Sequence, residues 1–294
     1  MTPPKGHESS ASVYLNGDYV AAAKARISVE DRGFLFADGV YEVVRYYGGR
    51  PFTLREHVER MKKSLQAVRI RLDWGAHDLA RISDELIQRN ALPDAQVYWQ
   101  VTRGVAPRKH LFPDASVPPT VLAMTYAEPP LDIAGRVRSM RAITRPDQRW
   151  KRCSIKSINL LPNLLDSQAA HEAGADTAIL MRNGVATECP SRSLFLVERG
   201  ALVTHPLDGS ILDSITRRVV IQLAQSERLV VREERPNAKR LFAAQEVLVV
   251  GTTTEIAAVT EIDGRRIGLG TPGELTRRLQ RALVARIYRE CGLG

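Results

Sequence analysis

Long apolar runs are missing from this chain. Nothing in its 294 residues approaches the roughly 18–20 consecutive apolar positions that a membrane-spanning helix needs. The opening stretch from Met1 to Ser12 is polar and has no apolar core of the kind a secretion signal carries. No membrane association and a cytoplasmic location are therefore expected. Cysteine is scarce as well: Cys153, Cys189 and Cys291 form neither a paired framework nor a CxxC. That argues against a disulfide scaffold and against a thiolate metal site, and for a reducing compartment.

Basic clusters are also absent. The formal net charge is +9, and such a charge attracts phosphate backbones when it is concentrated. Here the basic residues are interleaved with acids, as in Arg55-Glu56, Glu59-Arg60 and Arg232-Glu233-Glu234-Arg235, and no stacking motif accompanies them. Nucleic acid is not expected as a partner. Only eight of the 42 basic residues are lysines, which shortens the search for a catalytic amine. No internal repeat or low-complexity tract is visible. What remains is an ordinary globular composition, 44% hydrophobic and 26% charged, with length for about two domains.

The first fifty or so residues alternate and carry turn signals. Val13-Tyr14-Leu15 with Asn16-Gly17, and Gly39 to Tyr47 with Gly48-Gly49, read as hairpins. From Leu54 the period changes: Leu54, Val58, Met61, Leu65 and Val68 form one helical stripe, and Leu79, Ile82 and Leu86 mark a second helix. Strands are predicted over Gln96–Val101 and Thr120–Tyr126. The prolines of Ala127-Glu128-Pro129-Pro130-Leu131 impose an extended path. They divide the chain into an N-terminal α/β domain (1–127), a linker (128–137) and a larger C-terminal domain (138–294). In the latter, strands are predicted near Val137–Thr144, Thr177–Arg182, Arg192–Val197, Leu229–Glu233 and Glu246–Val250, and helices over Leu160–Ala173, Ile215–Gln225 and Glu274–Arg289. Many short strands with hairpins at Asn183-Gly184 and Arg199-Gly200 favour an α+β chain with a barrel-like sheet over a doubly wound parallel one.

Several residues suit chemistry, each with a plainer alternative. Lys156 follows Cys153-Ser154-Ile155; in an extended stretch it shares a face with Ile158 and Leu160. Apolar surroundings would make its amine a nucleophile or Schiff-base former; the alternative is a snorkelling lysine at a domain edge. Glu188 closes the hairpin after Asn183-Gly184 and suits the acidic partner of a pyridoxal phosphate ring, or is a solvated strand end. Asp213-Ser214-Ile215-Thr216-Arg217 opens a helix whose N-terminus suits an anion, or is plain capping. Gly251-Thr252-Thr253-Thr254 adds hydroxyl donors, and Arg60 adds a guanidinium or merely a solvated helix face. Arg103 to His110 is a basic loop suited to a small carboxylate, or simply solvated.

Taken together the segments resemble the fold-type-IV pyridoxal-phosphate aminotransferases and, among them, the branch acting on D-amino acids. The resemblance runs from about Val13 to Tyr288. It rests on Glu30-Asp31-Arg32-Gly33, Asp38-Gly39-Val40-Tyr41-Glu42-Val43-Val44, Val101-Thr102-Arg103-Gly104, Pro107-Arg108-Lys109-His110, Ile155-Lys156-Ser157-Ile158-Asn159-Leu160-Leu161, Ile215-Thr216-Arg217 and Thr252-Thr253-Thr254-Glu255-Ile256. It implies a homodimer of two-domain subunits with the cofactor, pyridoxal 5'-phosphate, at the domain interface. Lys156 would hold the cofactor covalently and move the substrate proton, and Glu188 would pair with the ring nitrogen. Arg60, the backbone of Ile215 and Thr216, and Thr252 would hold the phosphate, with Leu212 against the ring. Tyr41 would line the site, and Arg108 and His110 of the neighbouring subunit would trap the substrate carboxylate.

The implied reaction is ping-pong transamination between a D-amino acid and a 2-oxo acid such as 2-oxoglutarate. The alternative on the same fold is a branched-chain L-amino-acid or (R)-amine transaminase, and a lyase of aminodeoxychorismate would share the lysine. Two positions depart from the family pattern. Ser193 stands where asparagine is usual, and Asp213 where a basic or small residue precedes the phosphate-binding helix. The first ten or so residues have no counterpart in the resemblance.

Overall fold

The computed structural model describes residues 12–294, so the N-terminal stretch without a counterpart falls outside the described residues. Two units organise the chain. Unit 1 takes the described residues up to Leu131 together with Ile155–Asn159 and Arg289–Gly294; unit 2 takes Asp132–Ser154 and Leu160–Tyr288.

In unit 1 the hairpin β1 (Ser12–Leu15) and β2 (Asp18–Ala21) turns at Asn16-Gly17. After the short helix α1 (Arg32–Phe36) come β3 (Gly39–Tyr47), β4 (Arg50–Pro51), α2 (Leu54–Ala67), α3 (Leu79–Arg89), β5 (Ala95–Thr102) and β6 (Thr120–Ala127). The six strands form an antiparallel sheet in the order β2-β1-β6-β5-β3-β4. The period-2 pattern of β3 sends Val40, Glu42, Val44 and Tyr46 to one buried face, where Met61 and Leu65 of α2 and Leu79, Ile82 and Leu86 of α3 join the same core. Trp99 on β5 is fully buried in that core, and its indole N–H donates to Ser83 Oγ at 2.7 Å.

Two glycines of the family-like motifs have steric reasons. A Cβ on Gly33 would lie 2.3 Å from Thr102 Cγ2. Gly104 has φ +92°, and a Cβ there would lie 2.0 Å from the Pro118 carbonyl oxygen. Asp31 caps α1 by accepting from Gly33 N at 2.8 Å and also accepts from the hydroxyls of Thr102 at 3.0 Å and Thr120 at 2.6 Å, while Gly104 N donates to Thr102 Oγ1 at 3.1 Å.

Unit 2 contains β7 (Arg138–Pro146), α4 (Leu161–Glu172), β8 (Thr177–Arg182), β9 (Val185–Ala186), β10 (Ser193–Glu198), β11 (Ala201–Thr204), α5 (Ile215–Ser226), β12 (Val231–Glu233), α6 (Ala238–Ala243), β13 (Glu246–Gly251), β14 (Glu255–Ile262), β15 (Arg265–Arg266) and most of α7 (Glu274–Glu290). Its nine-stranded sheet runs β12-β11-β10-β13-β14-β7-β8-β9, with β15 beside β14. The sheet is a curled half-barrel within a two-domain α+β fold. Parallel pairs β11·β12, β14·β7 and β7·β8 are mixed among antiparallel ones. Strand β14 is not among the predicted strands: Ile256, Ala257, Ala258 and Val259 are all buried, and the two alanines lack the strand-favouring composition of the equally buried β8, β10 and β13. A strand covered on both faces shows no alternation.

Among the described residues no helix is long and apolar enough to cross a membrane. Ser83→Ala is expected to leave the buried Trp99 N–H unpaired and to cost about 1–3 kcal/mol. Urea unfolding followed by tryptophan fluorescence measures this loss.

Candidate active site

Lys156 lies outside any named strand, in an irregular segment where Ser157 N donates to Ile155 O at 2.9 Å. One isolated bridge, Val40 to Ser157, ties the segment to β3: Tyr41 N donates to Lys156 O at 3.0 Å and Ile158 N to Gly39 O at 3.1 Å. The Lys156 amide donates to Ser64 Oγ on α2 at 3.2 Å, so sheet and helix together fix its backbone. The side chain is half-buried, with Nζ 4.1 Å from the ring centroid of Tyr41, which in turn stacks on Tyr98 at 5.7 Å. Tyr41 and Lys156, both singled out from sequence, are thus in contact.

Arg60 lies buried on α2 against a residue that the sequence reading passed over. Its Nε donates to Glu42 Oε1 at 2.6 Å and its Nη2 to Oε2 at 2.9 Å, while His57 Nδ1 lies 2.9 Å from the same Oε2. Burial alone would raise the Glu42 carboxyl; the Arg60 guanidinium, helped by His57, outweighs it and holds Glu42 well below the carboxylate range. Burial keeps His57 below its ordinary 6.5, so its neutral ring donates from Nδ1 to Glu42.

The basic loop is braced from behind. Arg32 donates to Asp38 at 2.9 Å and to the Lys109 carbonyl at 2.6 Å, and Arg103 grips Asp38 at 2.8 and 2.9 Å. Beyond this brace Arg108 and His110 are exposed, lying 5.1 and 5.7 Å from the ring of Phe36.

In unit 2, Glu188 is buried in the loop after β9. Both of its oxygens accept from the Leu212 amide at 3.2 Å, and Oε1 meets Arg149 Nη1 in a short contact. Burial raises the Glu188 carboxyl above its ordinary 4.5, with the Arg149 guanidinium and the Leu212 N–H pulling the other way. Ile215 and Thr216 are the first residues of α5. Ser214 caps the helix through Arg217 N at 3.2 Å, and by helix geometry the amides of Ile215 and Thr216 have no acceptor within the helix. The carboxylate of Asp213 is ion-paired to Arg218, which offsets its repulsion toward an anion at this helix start. Thr252 occupies the turn between β13 and β14. Ser193 begins β10 opposite Val250, and its buried Oγ has no hydrogen-bond partner among the described residues.

The Amino-transferase class IV family matches residues 39–262. This chain belongs to that family. A D-alanine aminotransferase of Bacillus licheniformis is 41% identical over 280 residues, covering 95% of this chain and 98% of the relative. The branched-chain amino acid aminotransferase of Escherichia coli superposes with a TM-score of 0.87 at 26% identity, covering 96% of each chain. The T.th. branched-chain amino acid aminotransferase, solved with pyridoxamine 5'-phosphate, gives 0.86 at 26% identity, covering 96% of this chain and 95% of that one.

As a class IV aminotransferase the protein is a pyridoxal-phosphate enzyme. Its residues fit that group by their chemistry. A helix start with acceptor-free amides suits a phosphate. A buried carboxylate with remaining acceptor capacity suits a protonated ring nitrogen. The orphaned Ser193 hydroxyl marks a buried polar position that no group among the described residues satisfies.

The Glu42–His57 pair predicts the acid side of the stability curve. A folded state that refuses the proton on His57 loses stability as pH falls below the unfolded value of 6.5, and one that holds Glu42 ionised loses more as pH falls below 4.5 toward its lowered folded value. Thermal melts of the class IV enzyme and of its His57→Gln variant, taken from neutral pH downward, are expected to show a shallower acid decline in the variant. Equal slopes would refute a buried neutral His57.

Proposed function

We propose that this class IV aminotransferase moves the amino group of a D-amino acid, D-alanine among them, to a 2-oxo acid such as 2-oxoglutarate. The observation that carries this reading is the Pro107–His110 loop. It presents a guanidinium and an imidazole at one exposed edge, on a backbone braced through Arg32, Asp38 and Arg103. A planar guanidinium beside an imidazole suits the carboxylate of a small amino acid. The near full-length similarity to a D-alanine aminotransferase supports the same substrate class.

Pyridoxal phosphate, when bound, supplies an aldehyde carbon that receives the amino group and a ring that withdraws electrons. In this reading Lys156 would hold the cofactor through Nζ, and its amine, once free, would take the substrate's α-proton and deliver it to the cofactor side instead of back to the α-carbon. Holding the Lys156 backbone on β3 and α2 fixes the side of the substrate from which that proton leaves. Glu188 would pair with the ring nitrogen, and Leu212 would lie against the ring. The amides of Ile215 and Thr216, the Thr252 hydroxyl and Arg60 would hold the phosphate. Glu42 already occupies two nitrogens of Arg60, so it sets how that guanidinium is presented. Tyr41 lines the amine's surroundings.

The working unit in this proposal is a homodimer in which Arg108 and His110 serve the neighbouring subunit. Exposed Val29, Phe34, Leu111 and Phe112 support it. They lie on two segments joined by the Asp31–Val105 bridge and by Arg32 N donating to Gly104 O at 3.0 Å. Apolar side chains exposed together mark surfaces that associate.

Adding D-alanine to the purified holoenzyme is expected to bleach its visible absorbance band, and adding L-leucine is not. Bleaching by L-leucine alone would move the chain to the branched-chain reading. The Lys156→Ala variant is expected to lose turnover altogether. In Arg108→Ala, kcat/KM for D-alanine is expected to fall about 10- to 100-fold, the worth of a charge-assisted hydrogen bond. Turnover of an (R)-amine without a carboxylate should barely change; matching losses on both substrates would remove Arg108 from carboxylate binding.

A further inference from the structure

Unit 2 holds a row of four charges of alternating sign, three of them with buried side chains. Arg182 Nη2 lies 2.9 Å from Asp147 Oδ2. Asp147, whose side chain is 0% exposed, takes Arg149 side-on, with Nε on Oδ1 at 2.9 Å and Nη2 on Oδ2 at 2.9 Å. The third nitrogen, Nη1, meets Glu188 Oε1. Thr187 Oγ1 donates to Asp147 Oδ2 at 3.1 Å, and Arg149 Nη2 also reaches the Ser210 carbonyl at 3.3 Å. Because a guanidinium is planar, locking the Nε–Nη2 edge fixes the direction of Nη1.

Among the described residues, the two glutamate–arginine pairs with both side chains buried are built differently. Glu42 meets Arg60 with both oxygens across the fork, the arrangement of a closed ion pair. In unit 2 that position belongs to Asp147, and Glu188 receives a single end-on contact from Arg149, leaving Oε2 with only a share of the Leu212 amide. A carboxylate offers about four acceptor positions, so Glu188 retains capacity for a further donor. The charges Arg182, Asp147, Arg149 and Glu188 sum to zero and end on a negative group, where the next favourable neighbour is a cation.

We propose that Arg149, gripped by Asp147, is a positioning residue that fixes Glu188 as an ionised carboxylate toward the ring nitrogen of the cofactor. This rests on the assignment of Glu188 to that nitrogen made above. A buried carboxyl without Arg149 tends to its neutral form. Beside a pyridine nitrogen it would then keep the proton on its own oxygen, and the ring would accept electrons less well. With Arg149 in place the proton belongs on the nitrogen. No bond other than N–H or O–H is made or broken; one proton changes its owner.

The test uses holoenzyme reconstituted with pyridoxal phosphate carrying the heavy nitrogen isotope in its ring, whose NMR shift reports protonation directly. The wild type is expected to show a protonated nitrogen at neutral pH. Arg149→Gln should move the signal to the unprotonated position and lower kcat about tenfold or more, the usual effect of removing the outer partner of a functional ligand, with KM little changed. If Arg149→Gln does not fold, the double variant Arg149→Gln/Asp147→Asn, which removes the guanidinium together with the buried carboxylate it would leave unanswered, is expected to shift the signal in the same direction. A protonated nitrogen in the folded variants would overturn the role of Arg149. Glu188→Gln separates the two claims. An unprotonated nitrogen in the wild type, or a signal unmoved by Glu188→Gln, would instead overturn the Glu188 assignment.

Discussion

A charge buried in protein must be answered by an opposite charge close by, and that constraint organises both units of this chain. Glu42 is answered by Arg60, Asp38 by Arg32 and Arg103, and Asp147 by Arg149 and Arg182. Each cluster stands behind a part of the proposed machinery. The first lies on α2 and β3, which also hold the lysine backbone; the second braces the Arg108–His110 loop; the third aims the carboxylate of Glu188. Arginine is suited to this work because it stays charged when buried and binds a carboxylate across two parallel hydrogen bonds. The excess of arginine over lysine in the sequence is in part an expression of these interior contacts.

The division of labour between the units follows from where the chain returns. Ile155–Asn159 belongs with unit 1, although the residues on both sides of it belong with unit 2. That excursion brings Lys156 to Tyr41 and Ser64. Unit 2 carries Glu188, the α5 start and the Thr252 turn on three separate connections of its own sheet. Loops carry these groups, and the sheet carries the loops, an arrangement that lets rigid strands position polar groups without burying them in the core.

Much of the fold was legible from local signals. The Asn16-Gly17 turn announces the first hairpin, the stripe from Leu54 has a buried and an exposed face, and β3, β8, β10 and β13 are rich in β-branched, aromatic or leucine side chains although none of them has an exposed face. Strand β14, with alanines at its centre, and α1, only five residues long, left no such trace. The site divides in the same way. Lys156 and the loop around Arg108 stood out through local motifs, and the resemblance supplied their roles. Glu42 had a visible signal, an acid on the apolar side of an alternating strand, that went unread. Arg149 had none: its meeting with Glu188 joins positions 39 apart, and nothing near either residue announces the other.

The bridge between Val40 and Ser157 has a bearing on how the protein comes into being. The two positions are far apart along the chain, and closing so long a loop is entropically costly and late among the contacts that form. During synthesis, unit 1 can assemble its sheet around β3 well before the lysine segment emerges, leaving the edge of Gly39 and Tyr41 without that partner. A chain interrupted before residue 157 would thus hold a nearly complete first unit and no anchored amine. Anchoring of the Lys156 backbone is in this way a report that more than half of the polypeptide has already been made.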